Sequence, residues 1–168
     1  MVYFIGKELT NVNHSFFQPE KQYGEDLPIF DQEWEAIAFY YDYRQSQIEE
    51  LNELCQFFNI SLTYTRESLE ELENLYFQSI QELLLADWNL PIEEIEKMIS
   101  VYLIDCVIAR HEDAEWVVKP YPYKDGAYTL GFRRHRKSWH TMNACDGLYL
   151  RQKEDRPLLS LFDSLVRS

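Results

Sequence analysis

Three cysteines, five glycines and four histidines are few for 168 residues, and each shortage closes off a class of function. Cys55, Cys106 and Cys145 form an odd, widely spaced set without a CxxC pair. Neither a disulfide framework nor a thiolate metal site is encoded, and a reducing compartment, the cytoplasm, is the expected location. The scarce glycines never fall into GxGxxG or GxxxxGK[ST], so the usual backbone cradles for nucleotide phosphates are missing. His14, His111, His135 and His140 sit neither in HExxH nor at ligand spacing from a cysteine. His111, Glu112, Asp113 and Glu115 are explained by solvation at a polar junction, so no metal and no cofactor is expected. No run approaches the ~18 apolar residues of a spanning helix, and the apolar start from Met1 to Ile5 is short and lacks a basic flank. No membrane partner or targeting segment is expected. Basic charge is scarce as well: 16 Lys and Arg face 29 Asp and Glu, for a net charge of -13. Such a field opposes nucleic acid and anionic lipid surfaces.

What is present is globular in composition: 46% hydrophobic, 27% charged and 15% aromatic. A chain of this length can bury roughly two-thirds of its unfolded surface, enough to hold a core unaided. One domain spanning 1–168 is expected, with an extended arm over 1–30, a helical part over 31–111 and a sheet plus terminal helix over 112–168. Charge divides along the same line. Residues 1–100 carry 20 acidic and 5 basic side chains, net -15, and residues 101–168 carry 9 and 11, net +2.

The first thirty residues hold Asn11, Asn13, Pro19, Gly24 and Pro28 and show no period beyond a short strand at Val2 to Ile5. From Asp31 the spacing of Trp34, Ile37, Tyr41, Ile48, Leu51, Cys55 and Phe58 predicts a long amphipathic helix, capped by Asp31 and ended by Asn59. A capping box from Ser68 to Glu71 opens a second helix with Leu69, Leu72, Tyr76, Ile80 and Leu83 as its buried stripe. Within it, residues 73–79 spell ENLYFQS, the recognition sequence of tobacco etch virus protease. The helical period runs through this heptapeptide unbroken, so it reads as native sequence rather than a cloning remnant. A third helix starts near Pro91 and is apolar on every side around residues 98–108, which predicts the central helix of the fold.

After Arg110 the pattern becomes strand-like. Trp116 to Val118 and Tyr128 to Phe132 flank a turn at Asp125-Gly126, predicting a hairpin. Trp139 to Met142 and Leu148 to Leu150 are read as two further short strands around Asp146-Gly147. Asp155 and Pro157 announce a final helix bearing Leu158, Leu161, Phe162 and Leu165. The predicted class is α+β: three N-terminal helices packed on a small antiparallel sheet, with a C-terminal helix.

Over roughly residues 60–168 the chain resembles a loosely defined set of uncharacterised small bacterial proteins, some of them immunity-like proteins associated with toxin systems. The resemblance rests on Ser68, Leu69 and Leu72 at a helix start, on Tyr102, on Trp116 and Val117 in a Trp-bearing strand, and on Ser160, Leu161 and Phe162 near the end. Ser100 and Ile104 stand where the pattern has glycines, and Asp105 stands where it has glutamate. What the resemblance implies is an α+β fold and a role in binding another protein.

The residues themselves offer no catalytic signature. There is no GxSxG elbow, and Cys106 lies on an apolar helix face, where a thiol is structural rather than nucleophilic. Asp105, inside the same helix, needs a partner, and Arg133 or a backbone amide is the expected one. Arg133, Arg134, Arg136 and Lys137 form the one basic cluster, expected to pair with the acidic helices within the chain or across a homo-oligomer. Glu33, Glu49, Glu50, Glu53, Glu70, Glu71 and Glu73 crowd the first two helices and are expected to form an acidic face for a basic, toxin-like protein. The reading that follows is a non-enzymatic protein-binding protein of immunity type. The alternatives are a small-ligand protein or enzyme with a pocket at Tyr102, Asp105 and Trp116, and a structural or oligomeric module.

Overall fold

The computed structural model describes Gly24, residues 26–141 and residues 144–168. Within them the order is α1 (Glu33–Phe57), α2 (Arg66–Gln81), a one-turn α3 (Leu84–Asp87), α4 (Ile92–Ile108), β1 (Ala114–Pro120), β2 (Tyr128–Arg134), β3 (Lys137–His140) and α5 (Pro157–Arg167). Two single-turn 3-10 helices, Leu148–Leu150 and Lys153–Asp155, precede α5. The class is α+β, as the change of period near residue 112 predicts. The strand expected at Val2 to Ile5 lies outside the described residues, as does most of the expected arm; its end is tied down by a hydrogen bond from Phe30 N to Gly126 O at 2.9 Å.

α4 is the hub, because its apolar positions leave no side that water would favour. Ile95, Met98, Ile99, Val101 to Ile104, Cys106 and Val107 are all buried. One hydrophobic cluster joins them to Leu51 and Cys55 of α1, Leu69, Leu72 and Tyr76 of α2, Phe132 and Trp139 of the sheet, and Leu158 and Phe162 of α5. The sheet has the order β1-β2-β3 and is antiparallel throughout, with Trp116 opposite Phe132 and Phe132 opposite Trp139. Period two sends these aromatics to the helical side, where Phe132 and Trp139 stack at 4.6 Å.

Local signals are met in some places and shifted in others. α1 ends as expected at Asn59, whose φ of 59° suits asparagine; Asn59 N bonds Gln56 O and Ile60 N bonds Cys55 O, closing a Schellman motif. Its start differs: Glu35, not Asp31, satisfies the free amides, accepting from Asp31 N at 3.2 Å and Gln32 N at 3.3 Å. Its buried line also differs, running through Ala36, Tyr40, Gln47, Leu51 and Cys55. Trp34, Ile37 and Tyr41, expected in the core, are 67%, 50% and 56% exposed. Both lines keep helical spacing, and Arg44, which interrupts the expected one, marks the flank that α1 turns toward β1.

α2 begins two residues before Ser68. Thr65 is the cap, and Ser68 serves as the third helical residue, the two exchanging bonds through their hydroxyls at 3.2 Å. Leu148 to Leu150 is a 3-10 turn rather than a strand, because Glu96 of α4 takes two of its amides, Gly147 N and Tyr149 N, each at 2.9 Å. β3 ends at His140, short of the expected Met142. Gly131 holds β2 and β3 close: a Cβ there would lie 2.1 Å from the carbonyl oxygen of Trp139.

The heptapeptide at residues 73–79 is part of α2, with Glu73, Leu75, Tyr76 and Ser79 buried. A protease needs it extended. The folded protein is therefore expected to resist tobacco etch virus protease, and cutting after Gln78 should rise with denaturant in parallel with global unfolding. Rapid cutting under native conditions would show that α2 opens on its own.

Candidate functional site

Three of the carboxylates expected on an acidic face belong to α2, and the structure treats each differently. Glu71 is exposed, Glu70 is half-buried and pairs with Arg156 at 2.9 Å, and Glu73 is fully buried. Glu73 Oε1 accepts from Leu158 N at 2.7 Å, and its Oε2 lies 2.8 Å from Arg156 Nε without good hydrogen-bond alignment. The first turn of α5 is thus capped by a carboxylate from α2, where Asp155 was the expected cap. Glu73 is no part of an accessible surface.

The carboxylates of α1 are different. Glu33, Glu49, Glu50 and Glu53 are all exposed, and none has a cationic partner among the described residues. Glu49 and Glu53 continue an outward line with Asp42, and beside that line run Trp34, Ile37 and Tyr41 at positions i, i+3 and i+7. An aromatic and aliphatic stripe next to unpaired carboxylates is the surface α1 leaves uncovered by the described residues.

The basic cluster does not neutralise it. Arg133 pairs with Glu115 across the β1-β2 ladder, and Arg134 and His135 approach Asp113 at 3.7 and 2.8 Å. These arginines spend their charge on the neighbouring strand and its entry, not on the acidic helices. Arg136 and Lys137 remain exposed at the tight turn.

Of the three residues expected at the alternative pocket, Asp105 and Trp116 come together, as a clamp, and Tyr102 makes its bonds elsewhere. Asp105 Oδ1 accepts from Trp116 Nε1 at 2.7 Å and lies 3.8 Å from Arg44 Nε. The Arg44 guanidinium sits 5.1 Å from the Trp116 ring centre, so one carboxylate, one cation and one indole tie α4, α1 and β1 together. The expected partner, Arg133, is engaged elsewhere: it lies on the outer face of β2, and the helical face of the sheet meets Asp105. Tyr102 is fully buried, its hydroxyl 2.5 Å from Ser68 Oγ and accepting from Tyr64 N at 3.0 Å. Burial raises the Asp105 pKa above the usual carboxylate range, against the Trp116 hydrogen bond and Arg44, which lower it. Burial likewise pushes the Cys106 thiol up to about 12, which leaves no thiolate at neutral pH. All three cysteines are free and buried. Among the described residues no cluster of three His, Cys, Asp or Glu side chains could hold a metal ion, and no helix is long and apolar enough to cross a membrane.

The geometry defines an α+β fold in which the described residues leave an acidic and aromatic face of α1 uncovered. A family model described as "Uncharacterised protein YwmA" matches residues 29–166, and the chain belongs to that family. A relative in Bacillus subtilis (strain 168), described in the same words, is 98% identical over 157 residues, covering 94% of this chain and all of the relative. No solved structure matches.

Glu73 and Glu49 should separate cleanly in denaturant unfolding. Glu73→Ala leaves the buried Leu158 amide of α5 unpaired and takes away one of the two carboxylates beside Arg156; it is expected to cost about 3 kcal/mol, whereas Glu49→Ala should stay within about 0.5 kcal/mol. Equal effects would contradict the burial assigned to Glu73.

Asp105 has a pH signature. Its folded pKa stands above the ordinary 3.8, so the folded state holds the proton more readily than the unfolded one. Its contribution is therefore favourable at low pH and is lost as pH rises from 3.8 through the raised value. The stability difference between wild type and Asp105→Asn, followed by urea unfolding across pH, should fall over that window and then level off. A difference independent of pH would refute the assignment.

Proposed function

We propose that this protein binds another protein through the outward face of α1, and that its partner is basic, as in an immunity-type inhibitor held in the cytoplasm. The observation that carries the reading is the pairing of Trp34, Ile37 and Tyr41, exposed on one flank, with Glu33, Glu49, Glu50 and Glu53, which have no cation among the described residues. Scattered exposed apolar residues are ordinary, but a contiguous stripe beside same-sign charge has the composition of an interface: an apolar centre with a charged rim. The rim would steer a cationic partner and mimic phosphate in its cleft, and the stripe would supply the contact area that slows dissociation. Glu71 extends the acidic surface onto α2. Glu70 and Glu73 drop out, because Arg156 and α5 already hold them.

The test uses a partner captured from a Bacillus lysate and association kinetics at two salt concentrations. Reversing Glu49, Glu50 and Glu53 to Lys together should slow association about tenfold or more at low salt while leaving the unfolding midpoint nearly unchanged. Trp34→Ala should act mainly on dissociation, costing about 2 kcal/mol of affinity. A partner of acidic or neutral charge, or a rate indifferent to salt and to charge reversal, would remove the reading.

A further inference from the structure

The two edges of the sheet are built differently. β3 is four residues long and starts at the exposed Lys137, a short and charged edge of the kind that resists pairing with another chain. β1 is seven residues long, and its register against β2 runs without a bulge from Ala114 opposite Arg134 to Pro120 opposite Tyr128. Two bonds, one on either side of β2, fix the phase of the ladder. Tyr121 N donates to Ala127 O at 2.8 Å, one step beyond the β1-β2 register, and Thr141 N donates to Leu130 O at 3.1 Å, one step beyond the β2-β3 register. The odd residues of β1 therefore bond β2, and Leu130 turns its backbone groups to the β3 side. Trp116 and Val118, opposite Phe132 and Leu130, point their N–H and C=O away from β2. Among the described residues no segment pairs with them there, and α4 and α1 reach β1 from the helical side, where Asp105 and Arg44 meet the Trp116 indole.

The open stretch is complementary to itself. About a two-fold axis through Val117, an antiparallel second copy sets Trp116 opposite Val118, Glu115 opposite Lys119 and Ala114 opposite Pro120 of the other chain. Trp116 and Val118 then exchange both backbone bonds on each side of the axis. Beyond them the donors are already removed: Pro120 has no N–H, and the Ala114 N–H is spent on His111 O at 3.0 Å. Charge agrees with the same register. Lys119 has no carboxylate partner among the described residues and rests its ammonium on Ser138 Oγ, while Glu115, although paired with Arg133, keeps 59% of its side chain exposed. The neighbouring registers are poorer. An axis at Val118 sets Lys119 opposite Val117, and an axis at Trp116 asks the spent Ala114 N–H to donate to Val118 of the other chain.

We propose that this protein associates with a second copy of itself through the free edge of β1, joining two three-stranded sheets into one continuous antiparallel sheet across a two-fold axis at Val117. Alternation along the strand puts the Glu115 to Lys119 pairs and the contact of Val117 with its copy on the outer side of the sheet, and Trp116 beside Val118 of the other chain on the helical side. A strand edge buries less than a standard interface, so the association is a micromolar one. It uses none of the outward carboxylates of α1, and it stands or falls independently of the docking of a basic protein.

Analytical ultracentrifugation of the full chain at concentrations up to about 500 µM tests it, and a monomer-dimer equilibrium with a dissociation constant of about 1 to 100 µM is expected. Val118→Pro removes an amide that faces away from β2, a place where an edge strand tolerates proline, so it should weaken association about tenfold or more with the unfolding midpoint nearly unchanged. Glu115→Lys and Lys119→Glu should each weaken it about tenfold, because each charge pair occurs twice across the axis, and the double variant should return to within a few-fold of the wild type. Cross-linking reads the register. Residue 117 meets its own copy as a pair without backbone bonds, with Cα atoms about 4.5 Å apart, so Val117→Cys should give a disulfide-linked dimer under mild oxidation. Lys119→Cys, roughly 13 Å from its copy, should not; the three native cysteines are buried and give a low background. If Val118→Pro fails to fold, the charge exchange and the cross-link decide. A monomer over the whole concentration range, a dimer indifferent to Val118→Pro in a folded protein, no recovery in the double variant, or stronger cross-linking at 119 than at 117 would each overturn the proposal.

Discussion

Every element of this fold answers to α4, a helix whose apolar positions run all the way round and which therefore has to be covered on all sides. α1, α2, α5 and the aromatic side of the sheet supply that cover in a shared cluster. The constraint has a second half. α4 also carries Glu96 and Asp105, and a carboxylate drawn into such a core must find donors or cost several kcal/mol. Glu96 finds them in Tyr76 of α2 and in the irregular backbone at Gly147 and Tyr149, and Asp105 in Trp116 of β1, with Arg44 of α1 beside it.

Glu96 shows how. It receives the Tyr76 hydroxyl at 2.5 Å and the amides of Gly147 and Tyr149, fixing the 3-10 turn of Leu148–Leu150 against α4 and α2. Glu73 does the same for α5, whose first turn begins at Arg156 with φ of 47° and finds its cap on α2. Asp105 joins α1 to β1 through Arg44 and Trp116. Glu73 and Glu96 thus act at a distance of many residues as replacements for a local cap or turn, and Asp105 acts as a tie between side chains. Acidity in this protein is thus of two kinds. One kind is buried and structural, and the other, on α1, is exposed and has no cation among the described residues.

That division bears on the proposed docking of a basic protein. The carboxylates that hold the fold are buried or engaged inside it, so a partner cannot use them. Glu33, Glu49, Glu50 and Glu53 of α1 have no cation among the described residues, and they share the helix with aromatic side chains that the core has declined in favour of the Ala36, Tyr40, Gln47, Leu51, Cys55 line. A long helix with two competing apolar lines can turn only one of them inward. The other remains as a surface, and surface of that composition is where association is favourable.

Periodicity in the sequence was sufficient for the existence and class of the main elements. The all-round apolar run of α4, the Asp125-Gly126 hairpin, the Asn59 helix end and Pro157 in the first turn of α5 each have a local cause, and local causes survive folding. The short range of these signals is also why the site was only half legible. The density of carboxylates on α1 and α2 could be read directly, but not which of them are exposed, since Glu73 is buried by α5, which arrives 85 residues later in the chain. Trp34, Ile37 and Tyr41 carried a helical period as good as the true buried line, and only the docking of α1 on α4 and the sheet chose between them. Leu148 to Leu150 had strand-like residues, yet a carboxylate of α4 about fifty residues away took its amides and made it a turn. Composition and period settle what depends on neighbours in sequence; burial, pairing of charges and the sharing of buried donors depend on segments far apart, and only the tertiary structure brings those together.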